Sequence, residues 1–254
     1  MAKKGRDSIM RNDPIIMATF LKAKERANWP SDGTSPIVTV ARQIGSQGEL
    51  IAKRIAEILT EQSRGLEPWI IVDKNIADHV IEDHHLPPRI SRFLSEEETT
   101  SIEDHIEGML GINVPHATVM DKMTQTIVRI ARMGHVVFVG RAAHVITARF
   151  PRAVHIRVVG SFERRVERIM KEMDCPRHDA ESEVRRVDER RDSFVAKNFH
   201  SALDDPTRFD LIINTDRVAV EEAARMVAHL VSSPHFRDIE ARQLSELRHE
   251  VLGE

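Results

Sequence analysis

Cysteine is nearly absent from this 254-residue chain, in which Cys175 is the only one. A single cysteine excludes an intramolecular disulfide and any zinc site built on several cysteines. It is compatible with a reducing compartment, and we therefore expect a cytoplasmic protein.

Long apolar runs and an excess of one charge are also lacking. No run approaches the ~20 residues that a membrane-spanning helix requires. Polar residues at 11–13 and Pro14 interrupt the apolar residues near the N-terminus, which argues against a secretory signal. The formal net charge is −3, so we expect no bulk attraction to nucleic acid or to a membrane, and any anion site must be built locally. The composition, 41% hydrophobic and 30% charged, is that of a soluble globular protein.

Short apolar runs predict five strands: Ile37–Ala41, Trp69–Val72, Val136–Val139, Ala153–Val159 and Phe209–Ile213. Most of these runs are continuous rather than alternating, which is typical of strands buried on both faces. Stripes at helical spacing lie between them, at 50–59 and 119–130. Strands alternating with helices predict a parallel sheet of about five strands covered on both sides, a three-layer α/β/α domain.

The remaining segments define the predicted organisation. Residues 1–34 read as an N-terminal helical extension, 35–231 as the α/β domain, and 232–254 as a C-terminal helix. Within the domain, the polar stretch 73–116 predicts an insertion, and the charged stretch 161–200 predicts a helical lid. The terminal helices are expected to pack on the domain or on a second copy of the chain, which would make a homo-oligomer.

A strand, a glycine turn and a helix start follow one another at the sequence VTVARQIGSQG, residues 38–48. The first amides of a helix lack intrahelical acceptors and lie at the positive end of its dipole, so this arrangement suits an anion. Gly45 and Gly48 allow close approach of the backbone to a phosphate. The alternative is that the two glycines only make a tight turn.

The usual phosphate-loop lysine and hydroxyl are missing here. Gly48 stands where the lysine of a Walker motif would be, and Glu49 adds a negative charge. Arg42, Lys53 and Arg54 are nearby cations that could substitute, although Lys53 and Arg54 also fit a solvated helix face.

Two further features carry positive charge. Arg141 follows Gly140 at the end of a predicted buried strand, where open α/β sheets bind ligands, and its planar guanidinium suits a phosphate. It could equally cap a loop. The segment 163–197 holds ten basic and ten acidic residues, which usually indicates a solvated helix with internal ion pairs such as Glu181–Arg185. A histidine and aspartate cluster at 79–85 has no zinc-like spacing, so we predict no metal site there.

A resemblance to a known family rests on five segments in the same order: VTVARQIGSQG, VDKNIADHVIED, VVFVGRAAHVITARFPRAVHIRVVG, SFERRVERIM, and VDERRDSFVAKNF with RFDLIINTDRVAVEEAA. Over residues 36–231 the chain resembles the cytidylate kinase-like family, relatives of cytidylate kinases among the P-loop nucleoside monophosphate kinases. The resemblance implies a P-loop NTPase-like fold, ATP and Mg²⁺ as cofactors, and phosphoryl transfer to a nucleotide substrate such as CMP or dCMP.

The resemblance also implies roles for individual residues. A phosphate-binding group comprises Arg42, Gly45, Ser46, Gln47, Gly48 and Lys53. A substrate-side group comprises Asp73, Arg165 and Arg168. A catalytic group comprises Arg141, Asp188, Arg190 and Arg191, and Asn214 with Thr215 would lie near the base.

The chain departs from cytidylate kinases proper in its loop and after Gly-Arg. Those enzymes carry Gly-Lys-Gly-Thr, whereas this chain has Gln47, Gly48 and Glu49 there, and Ala142 replaces the aspartate that follows Gly-Arg. An alternative function is therefore a catalytically impaired nucleotide-binding regulatory or scaffold protein. A kinase for a non-nucleotide acceptor is a third.

Overall fold

The computed structural model describes residues 35–63, 68–73 and 116–234. In chain order the elements are β1 (Ile37–Arg42), α1 (Gly48–Gln62), β2 (Ile70–Val72), α2 (His116–Met133), β3 (Val136–Val139), α3 (Ala143–Ile146), β4 (Ala153–Val159), α4 (Phe162–Met173), α5 (Arg177–Phe199), β5 (Leu211–Asn214) and α6 (Val220–Ser232). The predictions for 1–34, for 74–115 with its histidine cluster, and for 235–254 lie outside these residues. No helix in the described part is both long and apolar enough to span a bilayer.

All five strands pair in parallel, in the order β2-β3-β1-β4-β5, so β1 is the central strand. The predicted parallel sheet is confirmed, and the strand ends differ from the predicted runs by at most two residues. The match follows from burial: every residue of β3 is buried, as the continuous apolar run Val136–Val139 predicts.

Helices cover both faces of this sheet. On one face, α2, α3 and α5 pack against it around Met123, Phe138 and Phe194. On the other face, α1 and α6 pack around Ile51, Ile156 and Val227. The result is the three-layer α/β/α arrangement that the sequence predicts.

The charged segment 161–200 forms two helices rather than one. α4 ends at Met173, the capping residue Asp174 is left-handed with φ 48°, and Pro176 precedes α5. The two helices share a small apolar core that includes Val166 and Val184 and contacts Ile44 in the loop after β1. The α4–α5 hairpin is therefore seated beside the loop that the sequence marks as a phosphate site.

Glu181 and Arg185, predicted to form an ion pair, each contact a different residue in this hairpin. Glu181 accepts a hydrogen bond from Arg177 at 2.7 Å, and the Arg185 guanidinium lies 4.4 Å from the ring centre of Phe162. The aromatic contact between the two helices competes with the pairing along one helix, and sequence spacing alone does not reveal it.

A cavity of about 420 Å³ lies at the opposite, amino edge of the sheet. Its walls include Ser35, Trp69, His135, Arg152 and Ser232. Trp69 and His135 meet edge to face there, with ring centres 5.4 Å apart. This cavity is at the far end of the strands from the loop after β1.

Candidate phosphate-binding site

The candidate site lies at the carboxyl end of β1. α1 leaves β1 on one face of the sheet, whereas α3 and α5 pack on the other face. A crevice opens between segments that leave adjacent parallel strands in opposite directions, and ligands of open α/β sheets bind in such crevices. The central position of β1 puts the ends of β3 and β4 on either side of the crevice.

The loop between β1 and α1 uses two left-handed residues. Gly45 has φ 69° and Gln47 has φ 64°. At Gly45 a Cβ atom would lie 2.8 Å from the carbonyl oxygen of Arg165, so both the conformation and the packing require glycine. Backbone that alternates into the left-handed region turns successive N–H groups toward one concavity.

Five backbone amides of this loop are open. Across the described part of the chain, no group accepts a hydrogen bond from the N–H of Gly45, Gln47, Gly48, Glu49 or Leu50. Gln47 precedes α1 without a side-chain cap. These donors lie at the positive end of the α1 dipole, so together they form a binding surface for an anion such as a phosphoryl group.

Asp188 and Arg165 clamp the peptide group of Ile44. The carboxylate of Asp188 accepts from the Ile44 N–H at 2.9 Å and from the Arg165 guanidinium. Arg165 also donates to the Ile44 carbonyl at 3.3 Å and the Gly160 carbonyl at 3.1 Å. One negatively charged side chain thus accepts from the second amide of the loop, after the Gln43 N–H, which donates to the Val158 carbonyl at 3.1 Å, and the open amides begin at Gly45.

Arg168 and Arg191 also donate to backbone carbonyls. Arg168 contacts the Gly45 carbonyl at 3.0 Å and the carbonyl and hydroxyl of Thr215, each at 3.1 Å. The buried Arg191 donates to the Arg42 carbonyl at 3.2 Å. The structure therefore brings Arg165, Arg168 and Arg191 to the loop, in contacts that hold its backbone. Their roles toward a nucleotide stay predictions.

The side chain of Arg42 crosses the start of α1. A Cβ atom on Gly48 would lie 2.6 Å from the Arg42 Cβ, so only glycine leaves room for it. The Arg42 Nη2 atom is 3.9 Å from Oε1 of Glu49, whose side chain is 72% exposed. Ser46 is buried, and its hydroxyl donates to the Gln43 carbonyl at 2.7 Å. Ser46 therefore shapes the turn through its side chain.

Arg141 lies beside this loop at the end of β3. The N–H of Gly140 donates to the Val40 carbonyl at 3.0 Å, which joins the two strand ends. Gly140, Arg141 and Ala142 are all left-handed, with φ of 77°, 56° and 52°. Such conformations are unfavourable for residues with a Cβ atom and occur often at functional sites. Arg141 is buried, with 7% of the residue exposed.

The other predicted residues are farther from the open amides. Asp73 follows β2, two strands from β1, a separation of about 10 Å. Lys53 is exposed and is five residues into α1, or about 7.5 Å along the helix axis from Gly48. Arg190 lies on α5 beside Arg191.

The Arg54 guanidinium contacts acidic side chains of α1 and α6. Its guanidinium donates to Glu221 of α6 at 2.5 Å and to Glu57 at 3.1 Å. The hydrogen bond from Arg54 lowers the pKa of Glu221 to about 2. Arg54 therefore joins α1 to α6, and this favours the structural interpretation of that residue.

Sequence reasoning missed a charged group around Arg157 of β4. Burial lowers the pKa of Arg157, and Asp192, Asp204 and Asp188 oppose that shift. Partial desolvation raises the pKa of Asp192, against the attraction of Arg157. An arginine inside a buried strand that is apolar except for His155 and Arg157 is the signal that could have identified this group.

The hydrogen-bond donors of the loop suit the oxygens of nucleotide phosphates better than they suit a metal ion that only protein atoms would hold. The described residues include no group of three or more His, Cys, Asp or Glu side chains that could hold a metal ion. Mg²⁺ needs only one or two carboxylates when substrate phosphates supply the remaining oxygens. Of the two carboxylates beside the loop, Asp188 is engaged with Ile44 and Arg165, and Glu49 is exposed.

Comparisons with known proteins give one family match. A family model described as "Cytidylate kinase-like family" matches residues 37–217. A search of curated proteins gives no match.

Two solved structures are similar to this chain. An uncharacterized protein from Eubacterium ventriosum ATCC 27560 has a TM-score of 0.56 and 18% sequence identity, over 78% of this chain and 99% of that chain. TT1252 from Thermus thermophilus has a TM-score of 0.42 and 15% identity, over 78% of this chain and 97% of that chain. The first likeness supports the α/β architecture described above.

Proposed function

Because the chain belongs to the cytidylate kinase-like family, we propose that its open loop binds nucleotide phosphates and that it transfers the γ-phosphoryl group of ATP to a nucleoside monophosphate of the CMP or dCMP type. The observation that carries this proposal is the set of five open amides at Gly45 and 47–50. These donors are fixed before a ligand arrives, which is the condition for strong electrostatic stabilisation.

The proposed chemistry needs positioning and positive charge more than covalent catalysis. Phosphoryl transfer proceeds through a state whose charge is spread over the equatorial oxygens. The open amides and the Arg141 guanidinium would bind those oxygens, since they follow adjacent strands. Arg190 and Arg191 of α5 are the further catalytic candidates, and Asp73 is a candidate on the acceptor side. Mg²⁺, when bound, would neutralise charge on the nucleotide phosphates.

A coupled assay of ADP release across nucleoside monophosphates tests this function. We expect turnover with CMP or dCMP, and Arg141→Ala should lower kcat/KM by ~10²-fold or more, as expected for loss of one electrostatic stabiliser. Arg132→Ala, at an exposed position in the last turn of α2, is the matched control and should leave kcat/KM unchanged. Equal kinetics for wild type and Arg141→Ala would reject the assignment of Arg141.

A nucleotide-binding protein without kinase activity is the second candidate. It is favoured by Glu49 in the first turn of α1 and by the Ser46 hydroxyl, which is turned to the Gln43 carbonyl. Calorimetry with ATP and Mg²⁺, run beside the turnover assay, separates the two functions. Tight binding without turnover on any acceptor supports the second candidate.

A further inference from the structure

We propose that Arg165 is a positioning residue of the phosphate site: it holds the Ile44 carbonyl and thereby presents the Gly45 N–H to a phosphate oxygen. This inference rests on the proposed function, because it assigns a role at the same site. It differs from the role that the family resemblance implies, in which Arg165 would contact the substrate itself. The two roles predict different responses of the Gly45 amide to a ligand.

The peptide group between Ile44 and Gly45 connects the arginine to the open amide. It is trans, as are the peptide bonds throughout the described residues, so its C=O and N–H point in opposite directions. Arg165 donates to the Ile44 carbonyl at 3.3 Å. The Gly45 N–H of the same peptide group therefore points away from the guanidinium, on a side where no described residue accepts it.

Gly45 by itself does not fix this orientation. Glycine adopts φ of either sign about equally readily, and rotation of the peptide group would bring the Ile44 carbonyl to the place of the Gly45 N–H. A carbonyl oxygen there would repel a phosphate, whereas an N–H binds it. The loop therefore needs a contact that keeps this carbonyl on the side of α4.

Arg165 is held firmly enough to provide that contact. The residue is buried, with 5% exposed, and it also donates to the Gly160 carbonyl at 3.1 Å and to the Asp188 carboxylate. Asp188 in turn accepts from the Ile44 N–H at 2.9 Å, so both polar groups of Ile44 are fixed. If Arg165 turned to a ligand, it would leave these buried acceptors without their donor. Its contacts therefore suit positioning better than direct binding.

Gly48 provides an internal control within the same loop. Its N–H is also open, but the carbonyl of the same peptide group, that of Gln47, accepts from the Ile51 N–H at 3.1 Å in α1. The helix itself therefore aims the Gly48 amide. Removal of Arg165 should affect the Gly45 amide and spare that of Gly48.

The experiment follows the two glycine amides by NMR during titration with ADP in EDTA. Ile44–Gly45 is the only Ile-Gly pair in the sequence and Gln47–Gly48 the only Gln-Gly pair, so carbonyl labels on isoleucine or glutamine identify each resonance. In the wild type, ADP should shift both amide protons downfield, because charge-assisted hydrogen bonds are short and strong. In Arg165→Met, the Gly45 shift should be lost, the Gly48 shift retained and ADP affinity weakened about 10-fold.

Two further variants separate positioning from the loss of a charge. Arg164→Met removes the neighbouring cation, whose side chain is 65% exposed, and should leave both shifts and the affinity unchanged. Arg165→Lys can still donate to the Ile44 carbonyl and should restore part of the Gly45 shift.

Three results would overturn the inference. If Gly45 keeps its full shift in Arg165→Met while the affinity falls, Arg165 contacts the ligand directly. Unchanged shifts and affinity in Arg165→Met would give it no role in the site. If the melting temperature shows that Arg165→Met does not fold, Arg165→Lys replaces it: a reduced Gly45 shift beside a full Gly48 shift supports the inference, and two full shifts overturn it.

Failure of the proposed function gives a different result. If ADP shifts neither amide in the wild type, both proposals are rejected. If the Gly48 amide responds to ADP and the Gly45 amide does not, phosphate binding at the loop stands and only the inference about Arg165 is rejected.

Discussion

Gln47 occupies a backbone conformation that its side chain disfavours. Its φ of 64° and ψ of 19° lie in the left-handed region, which disfavours residues with a Cβ atom by about 1–2 kcal/mol. The amides that follow it, those of residues 48–50, are open at the start of α1. The loop therefore contains local strain at the residue where α1 begins.

Gln47→Gly should raise the free energy of unfolding by about 0.5–1 kcal/mol, because glycine removes the strain but adds freedom to the unfolded chain. Urea unfolding measures this change. Gln125→Gly, the same replacement in the right-handed backbone of α2, should lower the free energy of unfolding by about 1 kcal/mol. If the two variants lose stability equally, the left-handed assignment at Gln47 is wrong.

His155 is a buried imidazole in the middle of the sheet. Its Nδ1 atom is 2.8 Å from the Thr39 hydroxyl. Burial lowers its pKa below 6.5, although the charge of Asp210 opposes the shift. The unfolded chain therefore takes up a proton at His155 at higher pH than the folded chain does. Stability from this residue is present above about pH 6.5 and is lost as the pH falls below it.

His155→Gln should flatten the dependence of unfolding free energy on pH between about 7 and 5. Glutamine keeps a polar partner for Thr39 and does not titrate. His178→Gln is the control, since that side chain is 90% exposed. Chemical unfolding at a series of pH values provides the measurement, and an unchanged slope in His155→Gln would contradict the prediction.

At the scale of elements, the α4–α5 hairpin holds the loop between β1 and α1 through Asp188. Asp188→Asn should lower the free energy of unfolding by about 2–4 kcal/mol, because it leaves the buried Arg165 guanidinium without its carboxylate. Nucleotide affinity should fall as well, since the Ile44 peptide loses its clamp. Glu189→Gln, at the exposed neighbouring position on the same helix, should have little effect on unfolding. Equal losses in the two variants would contradict the clamp.

Hydrogen exchange should divide the loop into two parts. The Ile44 amide is bonded to Asp188 and should exchange slowly, whereas the open amides at 47–50 should exchange fast in the free protein. ADP should slow exchange at 47–50 and leave Ile44 unchanged. Amide-resolved exchange by NMR measures both groups. Fast exchange at 47–50 that ADP does not alter would show that the ligand binds elsewhere.

The sequence predicts the elements better than their contacts. Apolar runs identify all five strands, because a strand buried on both faces allows few polar residues. The break between α4 and α5 is marked by Pro176, although the charge pattern suggests one continuous helical segment. The partners of Arg165 and Arg168 are carbonyls 121 and 123 residues away in the chain. No local pattern reveals such contacts, because they depend on how the hairpin packs against the sheet.

At the scale of the whole molecule, phosphate binding should stabilise the entire fold. A ligand present at 100 times its dissociation constant adds about 2.7 kcal/mol to the free energy of unfolding. ADP should therefore raise the melting temperature, and adenosine, which lacks phosphates, should not. A thermal shift assay with both compounds tests this, and an equal shift with adenosine would show that recognition depends on the base or ribose.

Only part of the candidate site can be predicted from the sequence. Glycines after a buried strand locate the loop, and the order of the motifs identifies the family. Which amides are open depends on the contact of Asp188 in α5 with the Ile44 N–H and on the left-handed backbone of Gln47. Both are properties of the folded chain. The sequence therefore predicts the place of a phosphate site, and the tertiary structure shows which backbone amides are open there.

The cavity at the amino edge has a consequence for how this protein is handled. Ser35, the first described residue, and Ser232, the last residue of α6, both line that cavity. They are separated from the open amides by the length of the six-residue β1, about 20 Å. A tether or fluorescent reporter attached at either serine would point away from the crevice. A surface-immobilised protein anchored there would present the loop between β1 and α1 to the bulk solution.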